Sequence, residues 1–202
     1  MNNSTILFSA GAAGYLLAAL AFYRHRHKIL DATSGMACVT GLATWQAALA
    51  WNSVQAFPAS ALLLVELFRA IVIIYCLQRI LKTLLGSGIT RSAMTTTLLF
   101  AIAIPLAIAA GYWAIVSPSD RDYFTIERAW IGIFISLGLL IAIEQVFRNT
   151  ETPSAVLRYA CIGLGVTVVY DLYLYADTLI FERLDFEGWS ARGGVNALAA
   201  IF

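Results

Sequence analysis

Charged residues are scarce in this sequence: 12% of its side chains are Asp, Glu, Lys or Arg, about half the share usual in a soluble domain. With 60% of residues hydrophobic, a water-exposed fold would lack the polar surface to cover itself. The formal net charge is +1 and no basic stripe runs along any segment, which argues against nucleic acid as a partner. Cysteine is also sparse. Cys38, Cys76 and Cys161 sit in apolar stretches without metal-site or redox-pair spacing, and read as small core residues. No HExxH zinc pattern, GxSxG nucleophile pattern or phosphate-binding Gly-rich loop occurs, so the sequence predicts no catalytic residue, metal site or bound cofactor.

What the chain does have is long apolar runs. They cover approximately residues 5–23, 34–57, 59–81, 94–116, 125–147, 155–179 and 189–202. Runs of this kind satisfy their backbone in lipid only as helices. The expected fold is therefore all-α, a polytopic transmembrane helical bundle with seven apolar segments. The last is truncated, because 14 residues rise only about 21 Å, against a hydrocarbon core of about 30 Å. Residues 1–202 are read as one multi-span membrane domain, an N-terminal fragment of a longer protein. The first run begins almost without charge and ends at Arg24-His25-Arg26-His27-Lys28, the reverse of a secretory signal, so it is read as an uncleaved helix. Pro58 marks a boundary after the second run, and Pro105 predicts a kink in the fourth.

Sidedness follows from the connections. Arg24, Arg26, Lys28, Arg79, Lys82, Arg91, Arg148 and Arg158 fall on one side, and Arg121, Arg128, Arg183 and Arg192 on the other. The richer set belongs in the cytoplasm and the N-terminus outside it. Trp113 and Trp189, near the opposite boundary, fit interfacial anchors, although aromatics also pack in bundle cores.

The polar residues inside the runs are the candidates for function. Glu66 and Arg69 are three positions apart on one helix face and are expected to pair, since isolated charges at that depth are costly. The stretch Tyr170-Asp171-Leu172-Tyr173-Leu174-Tyr175-Ala176-Asp177 brings two carboxylates and three phenols to the outer half of the sixth run. Asp171 and Asp177 are turned about 120° from each other, so Asp171 is the deeper acceptor and Asp177 sits toward the water boundary. Arg192 and Asn196 put donors on one face of the last run. If that run packs near the third and sixth, Glu66, Asp171 and Arg192 form one network. Such a network fits either a packing device or an outward-facing sensing pocket. Glu144 and Arg148, at four-residue spacing, read as an inner-boundary salt bridge, and Glu127 and Arg128 as helix-end charges. His25 and His27 read as part of a basic anchor beside lipid headgroups. Glycines such as Gly11, Gly14, Gly35, Gly41, Gly132, Gly138, Gly163 and Gly165 allow close helix approach.

Three motifs, Glu144-Gln145-Val146-Phe147-Arg148-Asn149-Thr150, the Tyr170–Asp177 stretch and Trp189-Ser190-Ala191-Arg192-Gly193-Gly194-Val195-Asn196-Ala197-Leu198, carry a resemblance. In order and spacing the chain resembles the N-terminal membrane region of PrsK-type histidine kinases, associated with PEP-CTERM/exosortase systems in Gram-negative bacteria. The resemblance implies a multi-pass protein of the bacterial inner membrane with a periplasmic N-terminus. It also implies cytoplasmic kinase domains beyond residue 202, which would use ATP and Mg to phosphorylate a histidine and then a response regulator. The chain itself has no phosphoacceptor or ATP-binding motif. The expected role is a sensory and anchoring region with the polar network Glu66, Arg69, Tyr170, Asp171, Tyr175, Asp177, Arg192 and Asn196. The expected partners are membrane lipids, a second copy in a homodimer, the response regulator and a small or lipid-linked ligand. A small-molecule transporter and a structural assembly module are the alternatives.

Overall fold

A computed structural model describes residues 3–24, 32–55, 57, 59–85, 125–148, 155–183 and 185–200. Among them are six α-helices and no strand: α1 (Asn3–Arg24), α2 (Ala32–Asn52), α3 (Ala59–Leu85), α4 (Thr125–Arg148), α5 (Ala155–Phe181) and α6 (Phe186–Ala199). The expected fourth run, residues 94–116 with Pro105, lies outside the described residues, as do His25, His27 and Trp113.

Three of the helices are long and apolar enough to cross a membrane: α1, the Ala129–Arg148 part of α4 and the Arg158–Phe181 part of α5. The expectation of seven apolar segments is corrected to these three among the described residues. Thr40, Thr44, Gln46 and Asn52 interrupt α2, and α6 has 14 residues, with Arg192 and Asn196 inward.

Several ends differ from the apolar runs for local reasons. α2 stops at Asn52 rather than continuing to Phe57, because the Asn52 side-chain oxygen accepts the Phe57 N–H at 2.8 Å and closes a turn. α5 ends at a turn where Glu182 adopts a left-handed φ of 51°. α6 starts three residues before Trp189, since Asp185 caps it by accepting the Glu187 N–H at 3.0 Å. Arg24 and Arg148 occupy the last turns of α1 and α4, where a positive charge complements the helix dipole.

The principal packing contacts run α1 to α2, α2 to α3, α3 to α4, α4 to α5, α5 to α6 and α6 back to α1. The six helices thus close into a ring in chain order. Around one cleft, Glu66, Arg69 and Ala70 of α3 face Gly132, Ser136 and Leu139 of α4. Further along, Ile73, Ile74 and Leu77 meet Ala142, Ile143 and Val146. Residue numbers rise together on both helices, so α3 and α4 run in the same direction.

That second group, joined by Tyr15 of α1, Leu42 and Ala43 of α2, and Cys161 and Val168 of α5, forms the main apolar core. It lies toward the C-terminal ends of α3 and α4. A smaller cluster of Phe8, Trp45 and Leu49 joins α1 to α2. Two glycines set helix spacing. A Cβ on Gly193 would fall 2.6 Å from the Leu7 carbonyl carbon, so α6 crosses α1 backbone to backbone. A Cβ on Gly132 would fall 2.5 Å from the Tyr175 ring, which lies flat against α4 at that point. The outer faces are apolar: Leu16, Leu17 and Leu20 on α1, Leu64 and Ile71 on α3, Phe134 and Ile141 on α4, and Val166 and Val169 on α5 are exposed.

Candidate functional site

Four charged side chains meet inside the ring: Glu66 and Arg69 from α3, Asp171 from α5 and Arg192 from α6. Their exposures are 7%, 3%, 2% and 0%, so water does not screen them and each charge depends on its protein partners. Arg192 is the hub. Its Nη1 and Nη2 donate to the two Glu66 oxygens at 2.6 and 2.9 Å, a bidentate fork, while its Nε donates to Asp171 Oδ1 at 2.5 Å. Arg69 Nη1 pairs with Asp171 Oδ2. Two carboxylates and two guanidiniums balance to zero.

The expected pairing of Glu66 with Arg69 within α3 is the weakest contact of the set, at 3.8 Å. Both prefer partners across the ring, because the planar Arg192 fork matches the Glu66 carboxylate better than the i,i+3 geometry allows. Sequence separation is no obstacle: Glu66 and Arg192 are 126 residues apart.

Aromatic rings brace the guanidiniums. The Arg69 and Arg192 Cζ atoms lie 4.4 and 4.9 Å from the Trp45 ring centroid, and Arg192 Cζ lies 4.8 Å from that of Trp189. A desolvated contact of this kind contributes about 2 kcal/mol. Trp189 stacks on Arg192 and meets Tyr175 edge-on at 5.7 Å. Trp45 gives no sign of its role in the sequence, where it is one aromatic among many. Its neighbour Gln46 is also fully buried, so this face of α2 turns inward.

A second layer ties α6 to its neighbours. The Tyr15 hydroxyl of α1 donates to Asn196 Oδ1 at 3.2 Å, and Asn196 Nδ2 donates to the Arg192 carbonyl at 2.8 Å. The Tyr170 hydroxyl donates to the Gly188 carbonyl at 2.9 Å, and the Ser4 and Ser190 hydroxyls share a hydrogen bond of 2.5 Å. The buried residues of α6 are Arg192, Gly193 and Asn196; this helix is docked by polar bonds and backbone proximity rather than by apolar side chains. Of the residues singled out in the sequence, Glu66, Arg69, Asp171 and Arg192 form the quartet. Asn196, Tyr170 and Tyr175 adjoin it through α6, and Asp177 is half-buried on another face of α5. Glu144 and Arg148 pair at 2.9 Å on the exposed side of α4. Cys38, Cys76 and Cys161 form no disulfide among the described residues.

Beside the quartet is a partly open cleft, with Gly132, Ile135, Ser136 and Leu139 of α4 opposite Arg69 and Ala70. It has room for about one water molecule. Arg69 Nη2 is buried and has no hydrogen-bond partner among the described residues, and the same holds for Trp45 Nε1 and the side-chain amide of Gln46.

Among the described residues, fold and site together define an all-helical arrangement with three helices long and apolar enough to cross a membrane, assembled around a buried, charge-neutral ion-pair quartet. Comparison with protein-family models, curated proteins and solved structures finds no match.

Proposed function

We propose that this chain is the membrane-embedded sensory and anchoring region of a two-component histidine kinase of the PrsK type. It would couple an envelope or lipid-associated signal to kinase domains beyond residue 202. The observation that carries the reading is the neutral quartet, which links α3, α5 and α6 inside a ring whose outer face is apolar. Apolar outside and charged within is the arrangement suited to lipid. The proposed topology places the chain in the bacterial inner membrane with a periplasmic N-terminus. It puts the quartet in the periplasmic half.

In this reading α6 is the transmitting element. It is the last of the described helices, and polar bonds hold it. A signal that favours one arrangement of the Arg192 contacts over another shifts α6, and with it whatever is attached. ATP and Mg belong to the kinase domains alone, and the response regulator meets those domains. Transport is less well supported, because the quartet side chains close on one another rather than line a continuous polar conduit.

The test is kinase output from the full-length protein carrying Glu66→Gln, Asp171→Asn or Arg192→Gln, each checked for membrane insertion. Altered basal or stimulated phosphorylation is expected from all three. Wild-type output from correctly inserted variants rejects the sensing role.

A further inference from the structure

We propose that the cleft between α3 and α4 is a binding site for a neutral hydrogen-bond-accepting oxygen carried on an acyl chain, such as the ester carbonyl of a lipid, received by Arg69 Nη2. The proposal rests on the membrane-sensor reading above and names the class of ligand for the same site.

Three properties of the cleft select this chemistry. First, the free group is a donor. Arg69 Nη1 is engaged with Asp171, whereas Nη2 is buried without a partner among the described residues, and a buried N–H of a charged group calls for an acceptor. Second, the surroundings are already neutral. Glu66 and Asp171 are matched by Arg69 and Arg192, so an anionic ligand would leave one buried negative charge uncompensated and a cationic ligand one positive charge. The ligand group is therefore polar but uncharged.

Third, the space fits one oxygen and the approach to it is apolar. The cleft accommodates about one water-sized group, with Ala70 and Leu139 in its walls. Among its lining residues Ile135 alone is half-buried, the rest being buried, so the cleft meets the surface beside Ile135. The neighbouring surface is Phe134 and, on α3, Phe68, both 42% exposed. A ligand whose oxygen reaches Arg69 from there lays its remaining body against aromatic and aliphatic side chains. The Ser136 hydroxyl in the α4 wall supplies a second polar group. An acyl carbonyl satisfies Arg69, keeps the quartet neutral and covers the apolar approach; a bare alkane does only the last.

The probe is methyl palmitate bearing a diazirine near its ester, added to the protein in nanodiscs of ether-linked phosphatidylcholine, which lacks ester carbonyls. Cross-linked residues are mapped by peptide mass spectrometry. Labelling is expected on α3 around Ala70 and on α4 around Ile135. Excess unlabelled methyl palmitate should strongly reduce it, while hexadecane should not compete. Arg69→Lys keeps the charge beside Asp171 but removes the second nitrogen, and should abolish labelling. Ser136→Leu fills the cleft without touching the quartet and should do the same, so the test survives if the lysine variant misfolds. Labelling spread evenly over the outer faces, equal competition by hexadecane or by palmitate anion, or undiminished labelling of folded Ser136→Leu overturns the proposal. These outcomes are independent of kinase output: localised labelling with unchanged signalling from the charge variants would sink the sensor role and leave the site standing.

Discussion

The two ends of the helix ring are held by opposite means. Toward the C-termini of α3 and α4, Ile73, Ile74, Leu77, Ala142, Ile143 and Val146 pack as an ordinary apolar core. Toward their N-termini the interior is the quartet and two indoles. In lipid, apolar side chains gain little by leaving the acyl chains for one another, and van der Waals fit is what they contribute. Ion pairs discriminate more sharply, because a misplaced charge has no solvent to return to. The apolar end supplies bulk contact, and the polar end fixes which helix sits beside which.

The largest expected effect tests that division at its hub. Arg192→Met leaves Glu66 and Asp171 facing a single guanidinium, and should destabilise the fold by about 3–5 kcal/mol, read as the thermal unfolding midpoint in detergent. Adding Glu66→Leu removes the bidentate pair as a unit and leaves Arg69 with Asp171, restoring neutrality. The double variant should therefore be more stable than Arg192→Met alone. Simple additivity of the two losses would show that the quartet does not act as a unit.

How far this centre can be read in the sequence depends on the residue. Glu66, Asp171 and Arg192 stand out because charge inside an apolar run demands a partner, and helical periodicity separates Asp171 from Asp177. Adjacency is another matter. Nothing local says that α6 returns to α1, a contact made possible by Gly193 against the Leu7 backbone, and nothing local says that Arg192 outbids Arg69 for Glu66. Periodicity also overstates the spans. Apolar composition continues past Asn52, but a side-chain hydrogen bond ends the helix there, and the start of α6 is set by the Asp185 cap rather than by hydropathy. Trp45 and Trp189 show the limit most clearly, since their stacking partners come from other helices.

The apolar end should respond more gently. Ile73, 1% exposed, packs within the main core, and Ile73→Val removes one methylene without stranding a polar group. A loss of about 0.5–1.5 kcal/mol is expected from transfer and cavity terms, again measured by thermal unfolding. A loss as large as that of Arg192→Met would mean that packing rather than pairing dominates the fold and would erase the contrast between the ends.

The smallest effect separates ion pairing as chemistry from ion pairing as environment. Glu144 and Arg148 pair at 2.9 Å, as short as one arm of the Arg192 fork, yet their side chains are 57% and 78% exposed. On that outer face water and headgroups compete for each charge, and holding two long side chains in one geometry costs rotamer entropy, so Arg148→Ala should shift stability by about 0.5 kcal/mol or less. Raising the salt concentration should shrink even that difference, while leaving the deficit of Arg192→Met essentially unchanged because ions do not reach the interior. Equal salt sensitivity of the two variants would show that water enters the quartet, and the lipid-buried charge centre on which the sensor reading depends would then be untenable.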